Sequence, residues 1–304
     1  MTKLPLSVVV NTRNSAETLA LALASVPAVA ELIVVDMHSS DATKKIARTF
    51  KATIFDHPDT QYVEPARNFA ISKATQDWIF VLDADEQVSA ALYEKLPEII
   101  SRAEQENNVC VYLPRKNFIF GEWVRHTGWW PDHLPRLFKK GAVDWPEKIH
   151  ALPQVKGTSW CAPASELYCI EHQNYTTVSQ YVERMNRYTT TEVKDTNVPQ
   201  VFSVSQSFTT FFSEFLRRFF LQEGFRDGVR GSSLSLLQST YQLLTFLKLW
   251  EQADHQEEKE THTQTVDALR TVTKQCNYWI ADFHVQRSRG FSKVYWQLRR
   301  KFQI

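Results

Sequence analysis

The first third of the chain alternates short, unbroken apolar runs with polar stretches of helical period. LSVVVNTRN, residues 6–14, has the pattern of a buried strand running into a loop. NSAETLALALASV follows, with Asn14 placed as N-cap and Glu17 three residues on, a capping-box spacing. Leu19, Leu23 and Val26 then recur at helical intervals. ELIVVD, residues 31–36, reads as a second strand that ends in Asp36 and the polar loop HSSDAT, before the helix KKIARTF. ATIFD (52–56) is a short third strand, EPARNFAISKAT (64–75) a helix, and WIFVLD (78–83) a fourth strand. Strands and helices alternating at this period predict a mostly parallel sheet covered on both faces.

The pattern changes after a helix expected over Ser89–Glu106. NVCVYLPRKNFIFGEWVRH has the look of two antiparallel strands. GWWPDHLPRLFKKGAVDWPEKIHA, residues 128–151, mixes proline, tryptophan and charge without a period and reads as a functional loop region. From about Tyr175 onward the apolar spacing is helical, with a wide phenylalanine stripe in FFSEFLRRFF and a polar, exposed stretch over 251–264. The expected organisation is an α/β domain over 1–174 and a helical region over 175–304, which would contact an acceptor, a membrane surface or a second copy.

Composition narrows the function classes. Apolar residues make up 43% of 304, enough for a large core, and the formal net charge of +1 provides no global field for nucleic acid. Four cysteines without a CxxC spacing read as free thiols in a reducing compartment. No secretory signal precedes the first strand, and no apolar run reaches the roughly 18–20 residues that span a bilayer. The expectation is a cytoplasmic protein, either soluble or peripheral at the inner face of the membrane.

In a parallel sheet, ligands bind beyond the carboxyl ends of the strands. Thr12, Arg13, Asn14, Asp36 and Asp83 all fall at such ends. Asp83-Ala84-Asp85 has the D-x-D form, and on an extended segment alternate side chains point the same way. Both carboxylates would then face one hard cation, Mg²⁺ or Mn²⁺, whose remaining positions go to water and phosphate oxygens. The plain alternative is a solvated turn after a strand.

Taken together and in this order, SVVVNTRN, IVVDMHSSDAT, PARNFAISKATQDWIFVLDADE and GWWPDHLPRLFKKG resemble a family 2 glycosyltransferase with the GT-A fold. The similarity is greatest to the subgroup that includes lipopolysaccharide-core β-1,4-glucosyltransferases, and it covers residues 6 to about 175. The resemblance implies a Rossmann-like, mostly parallel sheet and an inverting transfer of glucose or another hexose from a nucleotide-diphospho sugar, a UDP-sugar first, to a lipid-linked glycan. Thr12 and Asn14 match residues lining the nucleotide pocket, and Asp36 the acid that contacts base or ribose. Arg67 matches an arginine holding the nucleotide, Asp83 the acid on ribose or metal, and Asp85 the metal ligand on the diphosphate. Two departures stand out. VDMHSSDAT carries Met37 and Ala42 in a loop where the family has glycines, and EKIHA lacks the acid that follows the histidine in related proteins.

Inverting transfer needs a base for the acceptor hydroxyl. Asp132 is the first choice, because Pro131 and two tryptophans would stiffen and partly dry its surroundings; an aspartate in a turn is the alternative, with Asp144 and Glu147 as runners-up. Arg136 would pair with the donor diphosphate or with an acid of the chain. His150 would be a third metal ligand or a structural residue. Trp129 and Trp130 would stack on an acceptor sugar or pack in the core. Near the C-terminus, Phe291, Val294, Tyr295, Leu298 and Phe302 recur at i, i+3, i+4, i+7 and i+11 among basic residues. Such a helix binds an anionic membrane surface, packs on the protein or forms a homodimer contact. Against the transferase stands a non-catalytic GT-A-like protein that binds nucleotide sugar or glycan, or scaffolds an assembly. A nucleotidyltransferase ranks last, since NTRNSAET has no glycine-rich loop.

Overall fold

The structure is a computed structural model that describes residues 3–60, 63–146, 152–194, 196 and 202–303. The chain divides into two compact units, one of Met1–Trp123 with Trp129–Thr176 and one of Val124–Gly128 with Thr177–Ile304.

The first unit begins with the expected alternation: β1 (Leu4–Thr12), α1 (Leu19–Ala24), β2 (Val29–Asp36), α2 (Thr43–Thr49), β3 (Thr53–Asp56), α3 (Glu64–Ser72) and β4 (Trp78–Asp83). It continues through β5 (Glu86–Val88), α4 (Ala90–Gln105), β6 (Cys110–Leu113), β7 (Arg115–Ile119), β8 (Glu122–Trp123) and β9 (Leu134–Lys139). The short strands β10 (Val143–Asp144), β11 (Gln154–Val155) and β12 (Ser159–Cys161), then β13 (Ile170–Tyr175), complete it. The main sheet has the order β12-β6-β9-β4-β1-β2-β3. β1 to β4 are parallel, and β9 runs antiparallel to both its neighbours. Val8, Val10, Phe80 and Leu82 pack on one face of the sheet, and Val9, Ile33, Ile79 and Val81 on the other. Burial on both faces is why these strands read as unbroken apolar runs.

Two local expectations change and a third is located. α1 starts at Leu19 with Thr18 before it and no side-chain cap. Asn14 instead takes a left-handed backbone, φ 47°, and its Oδ1 accepts from the Ser40 N–H at 2.8 Å. A bond across two loops has displaced the local cap. The antiparallel pair in NVCVYLPRKNFIFGEWVRH is β7 with β8, Phe118 opposite Trp123, while β6 does not pair with β7. Pro114 separates them, and the chain passes from the main sheet to a second one ordered β5-β13-β7-β8. The aperiodic stretch after Gly128 also contains β9, a central strand of the main sheet. Its burial on both faces removes the alternation, and Pro135 sits at a register shift against β6, where a missing N–H is tolerated.

The second unit is helical: α5 (Val178–Lys194), α6 (Val204–Leu216), α7 (Gly228–Gln252), α8 (His262–Arg287) and α9 (Gly290–Phe302). Reciprocal Ser203/Gln206 and Thr261/Gln264 capping boxes start α6 and α8. Gly231 in α7 lies against the Gly224 carbonyl, where a Cβ would come within 1.8 Å, so only glycine fits. The segment Val124–Gly128 is fixed to this unit, with the His126 N–H on Asp227 at 2.8 Å and Arg218 donating to the Thr127 carbonyl at 2.6 Å. No helix among the described residues is long and apolar enough to cross a membrane.

Candidate active site

β1, β2 and β4 end side by side. Thr12 pairs in register with Asp36, and Asn11 with Asp83, so their side chains line one edge of the sheet. Asp36 is wholly buried; its Oδ2 accepts from the Ser39 N–H at 3.0 Å and lies 3.5 Å from the Lys44 ammonium. The loop after β2 reaches its shape without glycine, because His38 adopts φ 54° and Ala42 an ordinary φ of −76°. A non-glycine residue in that region costs on the order of 1 kcal/mol. Bonds to the first loop, Ser40 N–H to Asn14 and Ala16 N–H to Asp41, help hold it.

Beyond β4 the chain turns at Ala84–Asp85, so Asp83 and Asp85 do not lie on one extended segment, and their carboxylates meet different partners. Both carboxylate oxygens of Asp83 are engaged by arginines. Arg67 Nη2 reaches Oδ1 at 2.9 Å and Arg136 Nη2 reaches Oδ2 at 2.6 Å. Arg136 also meets Glu86 at 2.7 Å, and Arg115 bridges Glu86 at 3.1 Å to Asp132 at 2.7 Å. Three arginines and three acids therefore alternate along this chain of ion pairs. Burial pushes the Asp83 carboxyl up, but Arg136 and Arg67 outweigh it and hold the group well below the usual carboxylate range. Burial likewise disfavours charged Arg136 and Arg115, and their acid partners outweigh that too, raising both above the usual guanidinium value.

Asp85, partly exposed, faces a different partner. Its Oδ2 lies 3.4 Å from His172 Nε2 on β13. Asn117 on β7 fixes the orientation of the imidazole. Its Nδ2 donates to the Trp129 carbonyl at 2.9 Å and to Asp132 Oδ2 at 3.0 Å, which leaves its Oδ1 as acceptor for His172 Nδ1–H at 2.8 Å. The same bond turns Nε2 toward Asp85. Two electron-pair donors at this separation fit a shared divalent cation. Among the described residues no third carboxylate, imidazole or thiol joins them, and His150 and Glu147 lie outside the described residues.

Asp132 sits at φ 39° with Oδ2 taking Arg115 Nε at 2.9 Å as well as Asn117, while Oδ1 has no partner among the described residues. Trp129 meets Tyr175 edge-on, and Trp130 meets Trp123 edge-on at 5.1 Å; both are half-buried. Asp144 is exposed on β10 and accepts from Asn68. The structure thus brings Thr12, Asp36, Arg67, Asp83, Arg136, Asp85 and Asp132 into one linked region, with Asn14 in the first loop. Sequence reasoning missed Asn11, Glu86, Arg115, Asn117 and His172. The alternation Ile170, His172, Asn174 on the buried face of β13 was the available signal for the histidine.

At the ends of β1 and β2 and on α3 and β9, five buried polar atoms have no hydrogen-bond partner among the described residues: Asn11 Oδ1, Thr12 Oγ1, Asp36 Oδ1, Arg67 Nη1 and Arg136 Nε. Buried groups of this kind are rare and call for a ligand or water. The acceptors lie on β1 and β2 and the donors on α3 and β9, an arrangement that suits a molecule with hydroxyl or N–H groups at one end and anionic oxygens at the other.

Residues 7–154 match the family model for glycosyl transferase family 2. An uncharacterised glycosyltransferase of Rickettsia typhi is 27% identical over 273 residues, covering 81% of this chain and 87% of its own. The lipopolysaccharide core biosynthesis glycosyltransferase LpsC of Rhizobium meliloti is 25% identical over 266 residues, covering 82% and 93%. Among solved structures, S. aureus TarS 1–349 in complex with UDP aligns with 100% of this chain and 89% of its own at 14% identity and a TM-score of 0.46, too slight a likeness to bear on fold or ligand. The span that matches the family 2 glycosyltransferase model holds β1 to β4, β9 and the polar edge of the sheet described above.

Proposed function

We propose that the protein is an inverting, metal-dependent hexosyltransferase that takes its sugar from a nucleotide-diphospho sugar and places it on a lipid-linked glycan of the lipopolysaccharide-core type. The observation that carries the reading is the set of unpartnered buried atoms at the ends of β1 and β2 and on Arg67 and Arg136. Asn11, Thr12 and Asp36 take the nucleoside, with its ribose hydroxyls and base N–H groups donating to them. Arg67 and Arg136, anchored on Asp83, present their remaining N–H groups to the diphosphate.

Asp85 and His172 are the residues that would hold Mg²⁺ or Mn²⁺; when bound, the ion neutralises charge on the departing diphosphate. Asp83 is the weaker ligand of the D-x-D pair, since arginines occupy both its oxygens. Asp132 accepts the acceptor hydroxyl's proton on Oδ1 while Arg115 and Asn117 hold Oδ2 and set the carboxylate's orientation. Trp129 and Trp130 flank the acceptor sugar. The work takes place at the cytoplasmic face of the membrane, where a lipid-linked acceptor would be presented.

The test is transfer itself. The protein is incubated with UDP-, GDP-, ADP- and CMP-linked sugars and a glycolipid acceptor, with Mn²⁺ or with chelator. Nucleotide release, acceptor mass and anomeric configuration by NMR are followed. A mass gain of one hexose with inverted configuration, abolished by chelator, is expected. Nucleotide-sugar binding without product for any donor and acceptor would favour the non-catalytic binding protein.

A further inference from the structure

α9 is mounted with its polar side against the protein. Its helical wheel puts Trp296 and Arg300 opposite the apolar stripe. Both contact α8. The Trp296 indole stacks on His284 at a centroid distance of 4.0 Å, and Arg300 donates to Asp282 at 2.6 Å. The stripe therefore faces solvent. Phe291 is 96% exposed, Phe302 60%, and Val294, Tyr295 and Leu298 are each more than half exposed. No residue of α9 is buried. A helix that buries its apolar face contributes to folding, whereas this one holds that face outward at a hydrophobic cost.

The charges around the stripe say what covers it. Arg299 and Lys301 lie on opposite flanks of it, where long side chains can place their stems on apolar surface and their charges at its border. Between Arg287 and Gln303 there are six basic residues and no acidic one. A second copy docking stripe to stripe would bring like charges together, whereas an anionic bilayer matches both the apolar band and its basic border. We propose that α9 is an interfacial helix that seats the protein on an anionic phospholipid surface, with Phe291, Val294, Tyr295, Leu298 and Phe302 inserted among the acyl chains. This deepens the lipid-linked acceptor of the proposed function, and it rests on that reading only for the purpose of being at a membrane.

Flotation of the full chain with vesicles tests it in the absence of donor and acceptor, so a failure of transfer cannot be mistaken for a failure of binding. Phosphatidylcholine vesicles are compared with vesicles containing phosphatidylglycerol. Binding to the anionic vesicles, weakened by salt and near background on phosphatidylcholine, is expected. Phe291→Ser with Leu298→Ser should lower it by about tenfold or more, and Arg299→Glu with Lys301→Glu should also weaken it, both with unchanged thermal unfolding because the sites are exposed or rim positions. Equal binding by the stripe variant, or no binding by the parent chain, overturns the proposal. A concentration-dependent dimer that the stripe variant abolishes, without vesicle binding, overturns it in favour of a second copy.

Discussion

The carboxyl edge of the main sheet and the α9 stripe break the usual partition of residues in opposite ways. At the sheet edge, charge is buried: Glu86 and Asp36 are fully inaccessible, and Arg136 and Arg67 nearly so. On α9, apolar surface is exposed. The difference lies in what each region can satisfy alone. At the sheet edge, Asp83, Glu86 and Asp132 meet Arg67, Arg136 and Arg115 pair by pair, so the charges balance inside the chain and only particular atoms remain unpartnered. α9 has no internal answer for its stripe. The first arrangement is built for a small polar ligand that completes a hydrogen-bonding set, and the second for an extended surface.

The largest effect that would break this comparison is at Asp132. Asp132→Asn should cut turnover about 10²- to 10⁴-fold while donor affinity stays within a few-fold; single-turnover kinetics beside donor titration separates the two, and unchanged turnover removes Asp132 as base. Next comes the pairing itself. Arg136→Met leaves Asp83 and Glu86 short of a buried partner and should destabilise the protein by about 3–5 kcal/mol in denaturant titration. A loss below about 1 kcal/mol would mean that water already shares those charges.

A smaller effect sharpens the link between the two acids. Asn117→Ala frees the His172 ring and removes one donor from Asp132, and should weaken Mn²⁺ affinity about 10–100-fold. Because Asn117 also touches Asp132, turnover should fall at saturating metal as well; a change confined to stability would give it a packing role only. Asp83 gives a pH signature. Its folded carboxyl lies below its unfolded value, so its contribution to folding is fully present above the unfolded pKa of about 4 and is lost as pH falls below that. Asp83→Asn should therefore melt lower than the parent chain at neutral pH, and the gap should narrow in acid. A gap that does not depend on pH would contradict the ion-pair account.

How much of this was legible in the residues depends on whether the information was local. β4 occupies Trp78–Asp83, the residues its apolar run marks out, and the ends of β1, β2 and β4 carry the polar groups expected there. β9 was hidden because a strand buried on both faces has no alternation, and its two neighbours come from distant parts of the sequence. The D-x-D reading assumed an extended segment where the chain turns. His172 and Asn117 sit on neighbouring strands of the second sheet, 55 residues apart, a proximity that no spacing rule supplies. Arg115 and Glu86 were missed for the same reason: buried partners neutralise them, and those partners are distant in sequence. The α9 stripe was plain in the sequence, but which side of the helix faces the protein was not.

The measurement that bears most directly on the donor site is a thermal-shift panel of nucleotide sugars with and without Mn²⁺ or Mg²⁺, run on the parent chain, Asp85→Ala and Asp132→Asn. A ligand that binds only the folded state raises the melting temperature. One nucleotide class should stabilise the parent chain and Asp132→Asn in a metal-dependent way and should leave Asp85→Ala unmoved. An equal shift in Asp85→Ala, or one indifferent to metal, would contradict the assignment of Asp85 and the edge of β4 as the metal–diphosphate site.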